Sequence, residues 1–194
     1  MIVLDQVKFL LRITRTRDIV RRYFVVNGFD GALTMLGLIV GFLISASENL
    51  SIMINACLGA AIALGMSGMS SAYMSEAAER KRALDKLEEA MVSDLQESSH
   101  GKAAHWVPLL VALVNGSSPL LISLLILTPL WLANAGIELP LSPLHLAIIV
   151  ALLLIFLLGV FLGRIAGISW LRSGIQTLLV ALVTVLLIYL IEGD

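Results

Sequence analysis

Five predominantly apolar stretches, at residues 23–46, 51–73, 106–133, 144–163 and 173–191, constrain this chain more than anything else in it. A bilayer core about 30 Å thick takes roughly 20 such residues per helix. Hydrocarbon offers no hydrogen bonds, so each crossing segment must pair its own N–H and C=O groups, which a helix does. Composition agrees: 59% of the 194 residues are hydrophobic and 14% are charged, where a soluble domain carries about 25% charged residues. Too little polar surface is left to coat a water-soluble globule. The expected fold is an all-α integral membrane protein with five transmembrane helices and a short cytoplasmic helical segment between the second and third.

The connector at 47–49 is so short that the first two helices must run antiparallel as neighbours. The 13 Lys and Arg residues then fix the count of spans. They fall before helix 1 (Lys8, Arg12, Arg15, Arg17, Arg21, Arg22), between helices 2 and 3 (Arg80, Lys81, Arg82, Lys86, Lys102) and between helices 4 and 5 (Arg164, Arg172). None lies at 47–49, at 134–143 or after helix 5. Five spans put all basic segments on one side, whereas four or six would scatter them. The positive-inside rule makes that side cytoplasmic, with the amino terminus inside and the carboxyl terminus outside. No secretory signal peptide is expected, because the first apolar run starts after about twenty residues and exceeds an h-region of about 7–15 residues. The expected setting is a cell membrane.

The chain divides into a cytoplasmic amphipathic segment (1–22), helices 1 and 2 (23–74), a charged cytoplasmic segment (75–104) and helices 3 to 5 (105–194). In the first segment Leu4, Val7, Leu11 and Thr14 share a helical stripe beside arginines, the pattern of a helix lying on the inner leaflet. The charged segment has Leu84, Leu87, Met91 and Leu95 at helical spacing and no breaker before Gly101. It reads either as an extension of helix 2 or as a hairpin folded beneath the membrane. Helix 3 carries Pro108, Pro119 and Pro129, and is expected to be kinked or tilted.

Asp30 is the strongest single feature. Its apolar run holds no basic residue, and an ionisable group in a membrane helix usually faces a pathway or a partner. The competing explanation makes Asp30 the N-cap of a helix starting at Gly31, but such a helix would reach Ala46 in only 16 residues. In helix 2, Met66 and Met69 stand among Gly65, Ser67, Gly68, Ser70 and Ser71. The small residues suit close helix packing. A thioether beside a carboxylate can favour a transition metal over Ca²⁺ or Mg²⁺, although methionine at helical spacing is more often filler. Glu76 and Glu79 share a helix face and could hold a divalent cation together. The same holds for Asp94 with Glu97, and Glu88 and Glu89 are adjacent. The alternative is a solvated face balanced by Arg80, Lys81, Arg82 and Lys86. His100 and His105 sit where the chain re-enters the membrane. Asn115-Gly116-Ser117-Ser118-Pro119 could line a pathway through freed carbonyls, or could simply be a kink. Cys57 alone permits neither an internal disulfide nor a Cys-based metal site. There is no P-loop, H-E-x-x-H or G-x-S-x-G motif, so neither an enzyme nor a nucleic-acid binder is expected.

An Arg-rich stretch runs into Gly28-Phe29-Asp30-Gly31-Ala32-Leu33-Thr34, followed by Gly37 and Gly41. A second helix ends in Met66-Ser67-Gly68-Met69-Ser70-Ser71-Ala72-Tyr73 before Glu76-Ala77-Ala78-Glu79-Arg80. A fifth is introduced by Gly163-Arg164 and Leu171-Arg172-Ser173-Gly174. This order of features resembles the vacuolar iron transporter family in its shorter prokaryotic form, over about residues 20–190. The resemblance implies a homodimer in the lipid bilayer that exports a divalent metal ion, Fe²⁺ and sometimes Mn²⁺, in exchange for protons. It has no prosthetic cofactor, and its pathway lies between paired first helices. It places Asp30 in that pathway, with Met69 or, in a shifted register, Met66. The family's glutamate-lined cytoplasmic domain is larger than 75–104, so metal collection by Glu76 and Glu79 is not carried over residue by residue. Two other readings remain open: a membrane-embedded regulatory or interaction protein, and a transporter of another solute.

The inferred orientation can be read directly. In a Cys57→Ser background, a membrane-impermeant maleimide added to intact cells is expected to label Glu138→Cys and to spare Glu97→Cys. The reverse pattern would invert the topology.

Overall fold

The computed structural model describes residues 16–47 and 49–192. Within them the chain is all-α, with five helices: α1 (Thr16–Ile44), α2 (Leu50–Met91), α3 (Ser99–Asn134), α4 (Pro143–Ala166) and α5 (Trp170–Glu192). All five are long and apolar enough to cross a membrane, and the protein is an integral membrane protein of five spans. The stripe at Leu4, Val7, Leu11 and Thr14 lies outside the described residues; from Thr16 the chain is already α1.

The sequence explains where the helices end. Ala46 takes a left-handed backbone at φ 50°, and the Ser47 N–H reaches back to the Phe42 carbonyl, closing α1. Three residues later the Asn49 side chain accepts the Ile52 N–H and starts α2. Ser142 caps α4, with Pro143 in the first turn. Gly167 ends α4 at φ 68°, a conformation that costs glycine little.

Of the two readings of the charged segment, the extension is correct. α2 continues unbroken through Glu76, Arg80 and Glu88 to Met91. It stops at Val92, at φ 49°, where the Ser93 N–H bonds the Glu88 carbonyl. Gly101 is not the breaker. It lies inside the first turn of α3, and a Cβ there would collide with the Gln96 carbonyl as the connection folds back. α3 runs helically through all three prolines. Pro129 leaves the Leu125 carbonyl without an N–H, and the Thr128 hydroxyl supplies the missing donor at 2.7 Å.

The chain forms two compact units, with α1, α2 and α3 each continuing from one to the other. Among the described residues, the first combines 16–24 and 65–117. Its core is Ala72 of α2 with Ala103, Val107, Val111 and Ala112 of α3, joined by Val20, Tyr23 and Met69. The Asn115 side-chain amide donates to the Gly68 carbonyl at 2.6 Å, and a Cβ on Gly116 would stand 2.5 Å from the Gly65 carbonyl. Glycine at these positions lets α2 and α3 touch backbone to backbone, the usual device for helix association in lipid.

The second unit combines residues 25–64 and 118–194. Its core gathers Met35, Leu36 and Ile39 of α1, Met53 and Cys57 of α2, Ile126, Leu127 and Leu130 of α3, and Ala151 and Ile155 of α4. α1 meets α3 at Gly31, where a Cβ would be 2.7 Å from the Cα and carbonyl oxygen of Pro119. α4 meets α5 through Gly159, Gly163 and Gly174, and the Thr177 hydroxyl crosses to the Ile155 carbonyl at 3.2 Å.

Neither Gly31 nor Gly116 has space for a methyl group without a backbone shift. Gly31→Ala and Gly116→Ala are each expected to destabilise the protein by about 1–3 kcal/mol, read as a lower unfolding midpoint in detergent. Gly59→Ala, which meets nothing within 4 Å, should leave the midpoint unchanged.

Candidate functional site

α1 is uninterrupted from Thr16 to Ile44, so Asp30 is a mid-helix residue and does not cap anything. It lies seven residues beyond Tyr23, where the apolar run begins, or about 10 Å along the helix at 1.5 Å per residue. Its direction is set by its neighbours. Gly28 packs against the Ser118 hydroxyl, Ile122 and Leu158, and Gly31 against Pro119. Ala32, Met35, Leu36 and Ile39 continue the same buried face. Asp30 therefore projects from the opposite side, exposed beside Val26. No cation pairs with it among the described residues. A carboxylate turned towards lipid in a helix that could have carried leucine costs on the order of 2.5–3.5 kcal/mol near mid-membrane.

α2 sorts the two methionines. Met69 turns inwards: its Cβ and Cε crowd the face of Gly116, and it joins the core around Val107 and Val111. Met66, one turn earlier on the same flank, is 59% exposed. Of the two positions left open by the sequence, Met66 is the thioether not already used in packing.

Glu76 and Glu79 do not behave as a pair. Glu76 is buried to 8% exposure and bonds the Arg80 guanidinium at 2.8 Å, whereas Glu79 is exposed beside Ser75, Arg82 and Lys86. Glu88 accepts the Leu95 N–H at 2.9 Å and so ties down the connection after α2. His105 stacks edge-on against Trp106, and His145 bonds the Ser142 hydroxyl at the start of α4. No group of three or more His, Cys, Asp or Glu side chains converges among the described residues. Within Asn115–Pro119, Asn115 is spent on the α2 contact and Pro119 on the seat for Gly31.

One feature escaped the sequence reasoning. Asn55, Ala56, Gly59, Ala63, Met66, Ser67 and Ser70 are all exposed on α2, an outward face that mixes small and polar groups with the aliphatic Ile52 and Ile62. Its signal was Asn55, the one side-chain amide in the apolar run 51–73.

No protein-family model matches the chain. Uncharacterized protein MJ0645 of Methanocaldococcus jannaschii is 31% identical over 174 residues, covering 88% of this chain and 87% of that protein. At that identity over nearly the full length of both, the chain belongs to the same protein family as MJ0645.

Proposed function

We propose that this membrane protein moves a divalent transition metal, Fe²⁺ with Mn²⁺ as a second cargo, out of the cytoplasm in exchange for protons. The reading joins the resemblance to the vacuolar iron transporter family with one observation: the exposed carboxylate of Asp30 on an unbroken membrane helix. A carboxylate can hold either a proton or a cation, so one group can carry the two species in alternation. Met66, exposed and free of packing duties, is the α2 thioether suited to select a soft cation. Glu76, already held by Arg80, is a poor candidate for collecting metal.

Asp30 also supports a homodimer. A bare carboxylate facing lipid is unfavourable, and so is the amide of Asn55 a helix away. A second copy laid against these outward stripes would shield both groups and, by twofold symmetry, would bring two Asp30 carboxylates to one axis. Such a pathway would be lined by the chain's own acids, with no resident cofactor.

Two measurements test this. In proteoliposomes with an imposed pH gradient, the wild type should carry Fe²⁺ or Mn²⁺, and Asp30→Ala should lower the flux at least tenfold. Met66→Leu should lower it several-fold, and Met69→Leu should leave it near wild type. Wild-type flux in Asp30→Ala would refute the reading. Separately, Gly59→Leu meets no clash within the protomer and should convert a detergent-solubilised dimer to monomer in light scattering. An unchanged mass would remove α2 from the interface.

A further inference from the structure

The cytoplasmic end of α2 carries an apolar stripe that the proposed transport does not use. Leu84, Leu87 and Met91 follow one another at spacings of three and four, which puts them on one face of the helix. Leu84 is buried, whereas Leu87 and Met91 are 41% and 61% exposed. Met91 lies eighteen residues past Tyr73, where the apolar run ends, or about 27 Å along the helix. That distance takes it beyond the hydrocarbon, so lipid tails do not cover the stripe.

The chain itself supplies a cover. Val20 and Tyr23 of α1 join the core that Ala72 of α2 makes with α3, and α1 and α2 run antiparallel. Traced back from Tyr23, α1 therefore leaves the bilayer in the direction that α2 takes. It is helical as far as Thr16, and at least fifteen more residues precede that point. No glycine or proline stands anywhere in 1–24, so nothing in the sequence turns the chain aside towards the leaflet. Fifteen helical residues would span about 22 Å, enough to reach the end of α2.

The register agrees. Leu4, Val7 and Leu11 are also spaced by three and four. Leu11 lies twelve residues back from Tyr23, and Leu84 lies twelve on from Ala72. By the same count Val7 falls within one residue of Leu87, and Leu4 falls level with Met91. Counting from Val20 instead shifts all three by less than one turn. Charge agrees as well. Residues 1–15 hold three bases and one acid, whereas 75–98 hold seven acids and four bases, and opposite net charge steers two such surfaces together. A second copy of the α2 end would set like charge against like.

We infer that residues 2–15 continue the helical course of α1 and dock antiparallel on the cytoplasmic end of α2, with Leu4, Val7 and Leu11 on the stripe of Leu84, Leu87 and Met91. Such a clasp fastens the inner end of α1, the helix that carries Asp30, to α2 outside the bilayer. It stands apart from metal transport, since it uses neither Asp30 nor Met66.

Two measurements on the full-length protein in lipid nanodiscs test it. In a Cys57→Ser background, mild oxidation should join Leu4→Cys to Met91→Cys within one chain, and should leave Leu4→Cys with Ser75→Cys, about 24 Å away along α2, unjoined. Separately, amide hydrogen exchange across 2–12 should be slow in the wild type. Leu87→Gln/Met91→Gln, which alters only exposed positions of α2, should speed it at least tenfold without changing exchange in 103–112. A disulfide between two chains would place a second copy on the stripe and overturn the inference. Equal joining at Ser75→Cys and Met91→Cys, or none at either, would overturn it too. So would slow exchange that the double glutamine variant leaves untouched, the result expected of a segment held by the leaflet.

Discussion

Close backbone contact between helices is the constraint from which the rest of this structure follows. Lipid already surrounds apolar side chains with hydrocarbon, so helices gain little by burying leucine against leucine and must hold together by fit. Here the fit is made where side chains are missing. Gly31 lies on Pro119, Gly116 on the carbonyl of Gly65, and Gly159 and Gly163 on the early turns of α5. Each contact fixes the rotation of a helix about its own axis. For α1 that rotation has a chemical result, because a face locked inwards by Gly28 and Gly31 leaves Asp30 nowhere to go but outwards.

Proline strengthens this arrangement. Pro119 contributes no N–H to the α3 ladder, and the residue four positions earlier is Asn115. The Asn115 carbonyl and amide both face Gly68, one as the neighbour a Cβ would meet at 3.2 Å and the other as donor to its carbonyl. The stretch of α3 that ends at this proline is thus also a joint with α2. The polar cluster at Asn115–Pro119 looks like pathway chemistry in the sequence, yet the positions whose contacts are visible serve mostly as carpentry.

The five spans were legible because they rest on a one-dimensional property, a sufficient length of apolar residues, which hydrocarbon thickness converts directly into helices. The helical character of the segment past Tyr73 was legible from the spacing of Leu84, Leu87 and Met91, but whether it extended α2 or folded back as a hairpin was not. Nor was its end: Val92 adopts a left-handed backbone that nothing local favours, and Gly101 serves a close approach instead of a stop. That Asp30 stands out in α1 could be read from the absence of any basic residue in its apolar run. Its direction could not, because that depends on which face of α1 the glycines commit. Which of Met66 and Met69 packs inwards is the same rotational question, since residues three apart stand only about 60° from each other around a helix. The pairing of Glu76 with Arg80 follows from their spacing of four, but the burial that removes Glu76 from service needed three dimensions.

The length of α2 has a mechanical consequence. Its 42 residues make a rod of about 63 Å, roughly twice the hydrocarbon thickness, with no glycine or proline between Ser70 and Met91 at which to bend. The half beyond the membrane is a lever arm whose fulcrum lies in the bilayer. A rocking of about 10° in the span would sweep its far end by about 5 Å, given the 1.5 Å rise per residue. Anything that grips the end near Met91 would feel, and could oppose, a motion that is barely visible among the packed helices.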